Sequence, residues 1–318
     1  MKHFLALGAA TLLLAAPLQA EPGKWTDEPV RIVVTFPPGG TSDLIARVLA
    51  QYFESEYGQK AVVDNRPGAG GTVAADFVAE QAPDGTTLIL GNNAPFTIAP
   101  TQFEDLPYDP MADFSHIAYL GASTPALFVQ PASGITSIEQ YIDAAKGNGI
   151  TYGSSGVGSI THILGKAVDI ELDIEQIHVP YQGSAPAIQD FRAGVLEAYY
   201  DMVALNRDLI TEGETQPIAL AAPERSPIFP EIPTFRELGH DIVIENWTGL
   251  SGPAGMDPQM VETINETVAE IMQLDAVVEQ LAQFGIAHTP MSAEEFTAFV
   301  EGTISTWEPL IKAAKVNG

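Results

Sequence analysis

The chain has no cysteine, and it carries only 14 lysines and arginines against 41 aspartates and glutamates in 318 residues. Without thiols there is no disulfide framework, zinc–thiolate site, redox pair or cysteine nucleophile. The formal charge of −27 argues against nucleic acid or an anionic membrane surface as a partner, and it denies the protein a generic electrostatic trap for anions. The acids are dispersed and no D-x-D-x-D-G loop occurs, so they read as a solvated surface rather than calcium sites. Long apolar runs are also missing, apart from one at the start. Lys2 and His3, the apolar stretch from Phe4 to Ala16 and the small-residue end Leu18-Gln19-Ala20 read as an export signal over residues 1–20, too short to span a bilayer. A mature chain from about Glu21, periplasmic and not membrane-inserted, is expected.

Catalytic signatures are missing as well. Gly153-Ser154-Ser155-Gly156 lacks the spacing of a G-x-S-x-G nucleophile elbow, and Gly165-Lys166-Ala167 lacks the upstream glycine and the hydroxyl of a phosphate loop. Gly156-Val157-Gly158-Ser159-Ile160-Thr161 begins like a dinucleotide fingerprint but has no third glycine and lies far from the first strand. The histidines past the signal, His116, His162, His178, His240 and His288, form neither H-E-x-x-H nor H-x-H. No catalytic residue, metal or cofactor is expected.

What is present is an α/β rhythm, short apolar runs alternating with helix-periodic segments. Val30 to Phe36 reads as the first strand. Leu44, Ile45, Val48, Leu49, Tyr52 and Phe53 then form one apolar helix stripe. Pro95, Pro100, Pro107 and Pro110 mark an irregular stretch. The rhythm resumes near Leu127 and runs through a second α/β unit to Ala222, and Ile242 to Trp247 reads as a further strand. Asp257-Pro258 and Ser292-Ala293-Glu294-Glu295 announce helices by their caps, and Ser137-Ile138-Glu139-Gln140 suggests a capping box. The length suits two domains, and no internal repeat is visible.

Two glycine-punctuated loops stand between a strand and a helix: Phe36-Pro37-Pro38-Gly39-Gly40-Thr41-Ser42-Asp43 and Ser154-Ser155-Gly156-Val157-Gly158-Ser159. The first N–H groups of a helix lack intrahelical acceptors and carry partial positive charge, so such junctions hold carboxylates or phosphates without basic side chains. Asp43 reads as a helix-start cap. Asp201, at a strand end, faces the crevice where open α/β sheets bind ligands.

These loops, with Asn65-Arg66-Pro67-Gly68-Ala69-Gly70-Gly71, Pro83-Asp84-Gly85-Thr86, Leu106-Pro107-Tyr108-Asp109-Pro110, His178-Val179-Pro180-Tyr181-Gln182-Gly183, Pro230-Glu231-Ile232-Pro233-Thr234 and Trp247-Thr248-Gly249-Leu250, resemble the marks of the substrate-binding proteins of tripartite tricarboxylate transporters, the Bug family. The resemblance spans nearly the whole mature chain. It implies an α/β, two-lobed type II periplasmic binding-protein fold with two crossover segments and a ligand cleft between lobes. Lobe 1 would comprise 21–122 and 243–318, and lobe 2 would comprise 123–242. The implied carboxylate holders are Pro38, Gly39 and Gly40 from one lobe, and Ser154, Ser155, Gly156, Gly158 and Asp201 from the other. Phe36, Asn93, His162 and Tyr181 complete the candidate set. The chain departs from the family at Ala99-Pro100, where relatives often carry Asn-Pro, and at Gly213-Glu214-Thr215-Gln216, which replaces a basic segment.

The expected function is a monomeric, non-catalytic receptor that captures a small organic acid, a di- or tricarboxylate, and hands it to cognate membrane permease subunits. The alternative is a sensory protein reporting to a membrane kinase.

Overall fold

Val30–Val34 forms β1, Thr41–Tyr57 α1, Ala61–Asn65 β2, Thr72–Ala79 α2 and Thr87–Asn92 β3. The three strands are parallel, with β1 between β2 and β3. The computed structural model describes residues 23–38, 41–181, 183–226 and 228–314. The expected export signal and two predicted carboxylate holders, Gly39 and Gly40, lie outside them.

β3 is buried along its whole length and ends in Asn92, where a π-helical turn, Ala94–Ile98, and a short helix α3, Ala99–Gln102, follow directly. Pro95 and Pro100 fit there because the first positions of a helical segment need no N–H partner. The stretch expected to be irregular therefore opens as helix. It then yields β4, Phe114–Ser123, a strand that the sequence reading missed.

After Thr124 alone the chain enters a second sheet: β5 Pro125–Val129, α4 Ile138–Asn148, β6 Thr151–Ser154, α5 Ile160–Leu172, β7 Ile177–Pro180, α6 Ser184–Arg192, β8 Ala198–Met202, α7 Arg207–Thr211 and β9 Gln216–Leu220. The return runs through 221–245 to β10, Asn246–Pro253, followed by α8 Pro258–Met272, α9 Asp275–Ala282, β11 Ile286–Ala287 and α10 Ala293–Ala313. The first sheet has the order β11-β4-β10-β3-β1-β2 and the second β7-β6-β8-β5-β9. The return strand begins later than the Ile242–Trp247 reading. Ile242 and Ile244 are buried against the second sheet's core, but they lie in irregular chain, where the Ile244 N–H donates to the Ala221 carbonyl and the Ile242 N–H to the His240 carbonyl.

Both sheets are covered on both faces, as the period of two along a strand requires. On β1 and β3, Val30, Ile32, Val34, Leu88 and Leu90 pack toward α1 and α8, whereas Val33 and Ile89 face α2 and α10. On β5, Leu127 and Val129 oppose Ala126 and Phe128. Helix α10 joins the two halves, with Phe296 and Val300 in the first sheet's core and Trp307 and Ile311 in the second's. The mixed α/β chain with two sheets agrees with the expected two-lobed architecture. Among the described residues no helix is long and apolar enough to cross a membrane.

Candidate functional site

A cleft of about 400 Å³ opens between the sheets. Phe36, Ala69, Gly70, Asn92, Asn93, Ala94, Ile98, Ala99, Gln102 and Phe103 line one side, Ser155 to Ile160 the other, and Asn246 the base. These residues gather at the C-terminal ends of β1, β3 and β6, the edge where open α/β sheets bind ligands. Among the described residues the lining includes no ionisable side chain. The nearby cations are engaged elsewhere: Arg47 grips Asp43 through two hydrogen bonds, and Arg66 pairs with Asp64 and lies over the Phe77 ring.

Packing behind the lobe 1 wall sets its shape. The Phe96 ring sits against Gly91, where any Cβ would collide with it, and stacks at 5° on Trp247. This fixes the turn that presents Asn92 and Asn93. Asn92 Oδ1 accepts from the Ala94 N–H (3.0 Å), and Asn93 Nδ2 donates to the Glu245 carbonyl (2.9 Å) on the return crossover. Asn246 Nδ2 donates to Ser123 Oγ (3.2 Å), at the outgoing crossover. The cleft floor is thus tied to both segments that connect the lobes. Asn65 Nδ2 anchors the first loop by donating to the Phe36 carbonyl (3.1 Å).

The wall from lobe 2 is a loop closed on itself. Ser159 caps α5, its Oγ accepting from the His162 N–H, and it also donates to the Gly156 carbonyl (2.7 Å). Thr161 Oγ1 accepts from the Ser155 N–H (2.9 Å). Gly156 has φ 136°, and a Cβ there would lie 3.1 Å from the Tyr181 carbonyl oxygen. Glycine is required by both conformation and space. Behind the loop, Gly158 N–H donates to His162 Nδ1 (3.2 Å) and Ser154 Oγ lies 2.7 Å from His178 Nε2. The two imidazoles stack at 4.0 Å, 8° from parallel, and Tyr152 stacks on His178. Burial, then the neighbouring imidazole and Lys166, pushes His162 down to about 4. Burial and Lys166 push His178 down to about 4 against an opposing pull from Asp169.

Of the residues chosen from sequence, Phe36, Asn93, Ser155, Gly156 and Gly158 line the cleft. Pro38 is exposed beside it. Ser154 and His162 stand behind the loop as supports, and Tyr181 donates to Asp190 (2.8 Å). Asp201 is buried and accepts from Ser184 Oγ (2.7 Å) and Asn206 Nδ2 (3.2 Å), while burial raises its pKa. Sequence reasoning missed Asn92, Asn246, Ala69, Gly70, Gln102 and Phe103 as lining. Asn92 and Asn246 directly adjoin residues it had already marked.

A second cavity, about 590 Å³, lies by α9 and β11 and is walled chiefly by Ile228, Met272, Val278, Leu281, Ile286 and Pro290. Ser226, Gln273 and His288 are its polar lining. Among the described residues no group of acidic and histidine side chains is placed to hold a metal ion.

Comparison with known proteins gives a consistent set of likenesses. The profile of the tripartite tricarboxylate transporter family receptor, TctC, matches residues 45–316. BugT of Bordetella pertussis is 30% identical over 307 residues, covering 95% of this chain and 94% of BugT. A TctC solute-binding protein from Polaromonas, solved without ligand, superposes with a TM-score of 0.83 at 26% identity, covering 91% of this chain and 99% of that one. A protein of R. palustris solved with adipate superposes at 0.77 with 30% identity, over 92% and 99% of the respective chains.

Proposed function

The chain belongs to the tripartite tricarboxylate transporter family of periplasmic receptors, and we propose that it captures a small dicarboxylate with an apolar middle and delivers it to a membrane permease. The family is one of receptors, so the chain is a binding protein and not an enzyme. The observation that carries the ligand class is the cleft lining, which is uncharged and in large part apolar. A carboxylate held by neutral donors needs two or three of them, and helix-start amides with Ser155, together with the asparagine amides, supply two such places. A third ionised carboxylate would find neither a cation nor a further donor set. Phe36, Ile98, Ala99, Phe103, Val157 and Ile160 suit a methylene chain between the two charges. Ala99 stands where the family often has asparagine, which removes a polar group from that wall. The adipate bound by the similar R. palustris protein is an acid of this kind.

Lobes built from 21–122 with 243–318, and from 123–242, would close over the acid because it touches both walls, shifting the population from open to closed. The Pro38-Gly39-Gly40 loop completes the lobe 1 side in this reading. The signal over 1–20 would provide export, and the closed form is what the permease would recognise.

The test is a thermal-shift panel on the mature protein, stripped of ligand by unfolding and refolding, with mono-, di- and tricarboxylates. An acid at 100 times its dissociation constant should add about 2.7 kcal/mol. Linear dicarboxylates should shift the melting point, and their diesters and citrate should not. A response to citrate equal to that of adipate refutes the ligand class. The absence of any response to carboxylates refutes the receptor site.

A further inference from the structure

His162 and His178 do not themselves line the cleft, yet they are wired into the loop that forms one of its walls. His162 Nδ1 accepts the Gly158 N–H, and that contact exists only while Nδ1 keeps its lone pair. The neutral ring therefore carries its proton on Nε2. Ser154 Oγ has a single proton and two neighbouring acceptors. The Gly156 carbonyl already receives the Ser159 N–H and Ser159 Oγ, and the contact to His178 Nε2, at 2.7 Å, is shorter than the 3.2 Å to that carbonyl. With His178 protonated on Nδ1, the shorter contact takes the proton of Ser154 to His178 Nε2. The lone pair of Ser154 then accepts the Gly156 N–H (3.2 Å). One imidazole thus fixes Gly156 through Ser154, the other fixes Gly158 directly, and their 4.0 Å stack locks the two rings together against Tyr152.

We propose that His162 and His178 are positioning residues for the anion loop, which holds its binding shape only while both rings are uncharged. The inference rests on the carboxylate reading of the cleft and adds acid sensitivity to it. An imidazolium at His162 would point an N–H at the Gly158 N–H and would stand in the first turn of α5, where the helix end opposes positive charge. Two charges could not share a 4.0 Å stack. The other groups acting on the pair are Lys166 and Asp169, both on α5 and paired with each other at 2.8 Å. Tyr152 on β6 faces His178, and Asp201 on β8 is turned to Ser184 and Asn206. The low pKa values of both rings agree with this geometry.

The experiment compares adipate affinity by calorimetry from pH 7.5 to 3.5 for the natural protein, His162→Asn and His162→Leu. Asparagine places an oxygen acceptor near the position of Nδ1 but does not titrate. His162→Asn should bind within about threefold of the natural protein at pH 7.5 and follow only the ionisation of adipate on acidification, whereas the natural protein falls further below it as pH drops under about 4, by about fourfold at pH 3.5. His162→Leu should lose about tenfold or more at every pH, through the unpaired Gly158 N–H. Parallel pH profiles for the natural protein and His162→Asn overturn the inference, as does unchanged binding by His162→Leu. Imidazole ¹⁵N shifts of the unliganded protein separate this from a failure of the carboxylate reading. Neutral rings at pH 6, with Nε2 protonated on His162, support the positioning role even if adipate does not bind, and a charged His162 at that pH overturns it even if adipate does.

Discussion

Replacing Gly156 with alanine tests the loop geometry at its tightest point. At φ 136° the residue lies in a region that L side chains rarely adopt, and the new methyl would meet the Tyr181 carbonyl oxygen at 3.1 Å. Holding alanine in such a conformation costs about 1–3 kcal/mol, and the Tyr181 carbonyl cannot easily yield because the Tyr181 N–H is bonded to Ser154 (3.1 Å) in the same strand pairing. The loop has a less costly escape: it can rotate Gly156 away, breaking the Ser159 and Ser154 contacts that shape the wall. Strain of about 1.5 kcal/mol released this way must be restored on binding, which weakens affinity about tenfold. The global fold should lose little, since a chain of this size shifts its melting point by only about 2–4 °C per kcal/mol. Calorimetric titration with adipate and a melting curve together decide the matter. Affinity within twofold of the natural protein would show that the loop does not need this conformation to bind. A collapse in melting point with normal affinity in the folded fraction would make Gly156 a folding residue instead.

Two other predictions follow from charge. Because the chain carries −27, a dianion approaches against the protein's field, so its association rate should rise severalfold as salt shortens the screening length from about 30 Å at 0.01 M to about 8 Å at 0.15 M; stopped-flow rates that fall with salt would point to a cationic entrance. His116 is buried between Ser251 Oγ (2.9 Å) and the Pro110 carbonyl (3.0 Å), and burial lowers it from 6.5 to about 4. The unfolded chain therefore takes up this proton first as pH falls, and stability should drop progressively between pH 6.5 and 4, by about 3 kcal/mol in all. Urea denaturation of His116→Gln should lack that part of the slope, and identical slopes would contradict it.

The elements easiest to read in the sequence were those with explicit end signals. Asp257 accepts from the Gln259 and Met260 N–H groups, and Ser292 with Glu295 forms the full reciprocal box, both as their spacing implied. Ser137 is only half a box, since its Oγ caps Gln140 but Gln140 Oε1 turns to Thr136. β4 escaped because Phe114–Ser123 is buried on both faces and carries serine, histidine and glycine among its apolar residues, so neither alternation nor a clean apolar run marks it. Ile242 and Ile244 misled for the opposite reason: they are apolar and buried but have no partner strand. At the site, the glycine loop on lobe 2 was legible from its punctuation. The direction of its hydroxyls was not, because Ser154, Ser159 and Thr161 bond within the loop rather than outward. The link from Ser154 to His178 joins residues on neighbouring strands, and nothing local in the sequence announces it.

On the proposed reading, an acidic protein that binds anions with backbone and amide groups gains something a cationic pocket would lose. A buried arginine in the cleft would hold carboxylates strongly in any lobe arrangement, because its charge acts over distance even when the walls are apart. The hydrogen bonds proposed from Ser155, the start of α5 and the asparagines would act only at contact. Binding energy is therefore available chiefly when both walls touch the acid, which is the differential affinity that a population shift toward closure requires. The same asparagines hold the crossovers, Asn93 through the Glu245 carbonyl and Asn246 through Ser123 Oγ. On the proposed reading, a ligand that engages their free amide atoms meets the segments that must bend as the lobes close. Once the lobes part, no charge remains in the lining to retain the acid, which suits a receptor whose task ends in release.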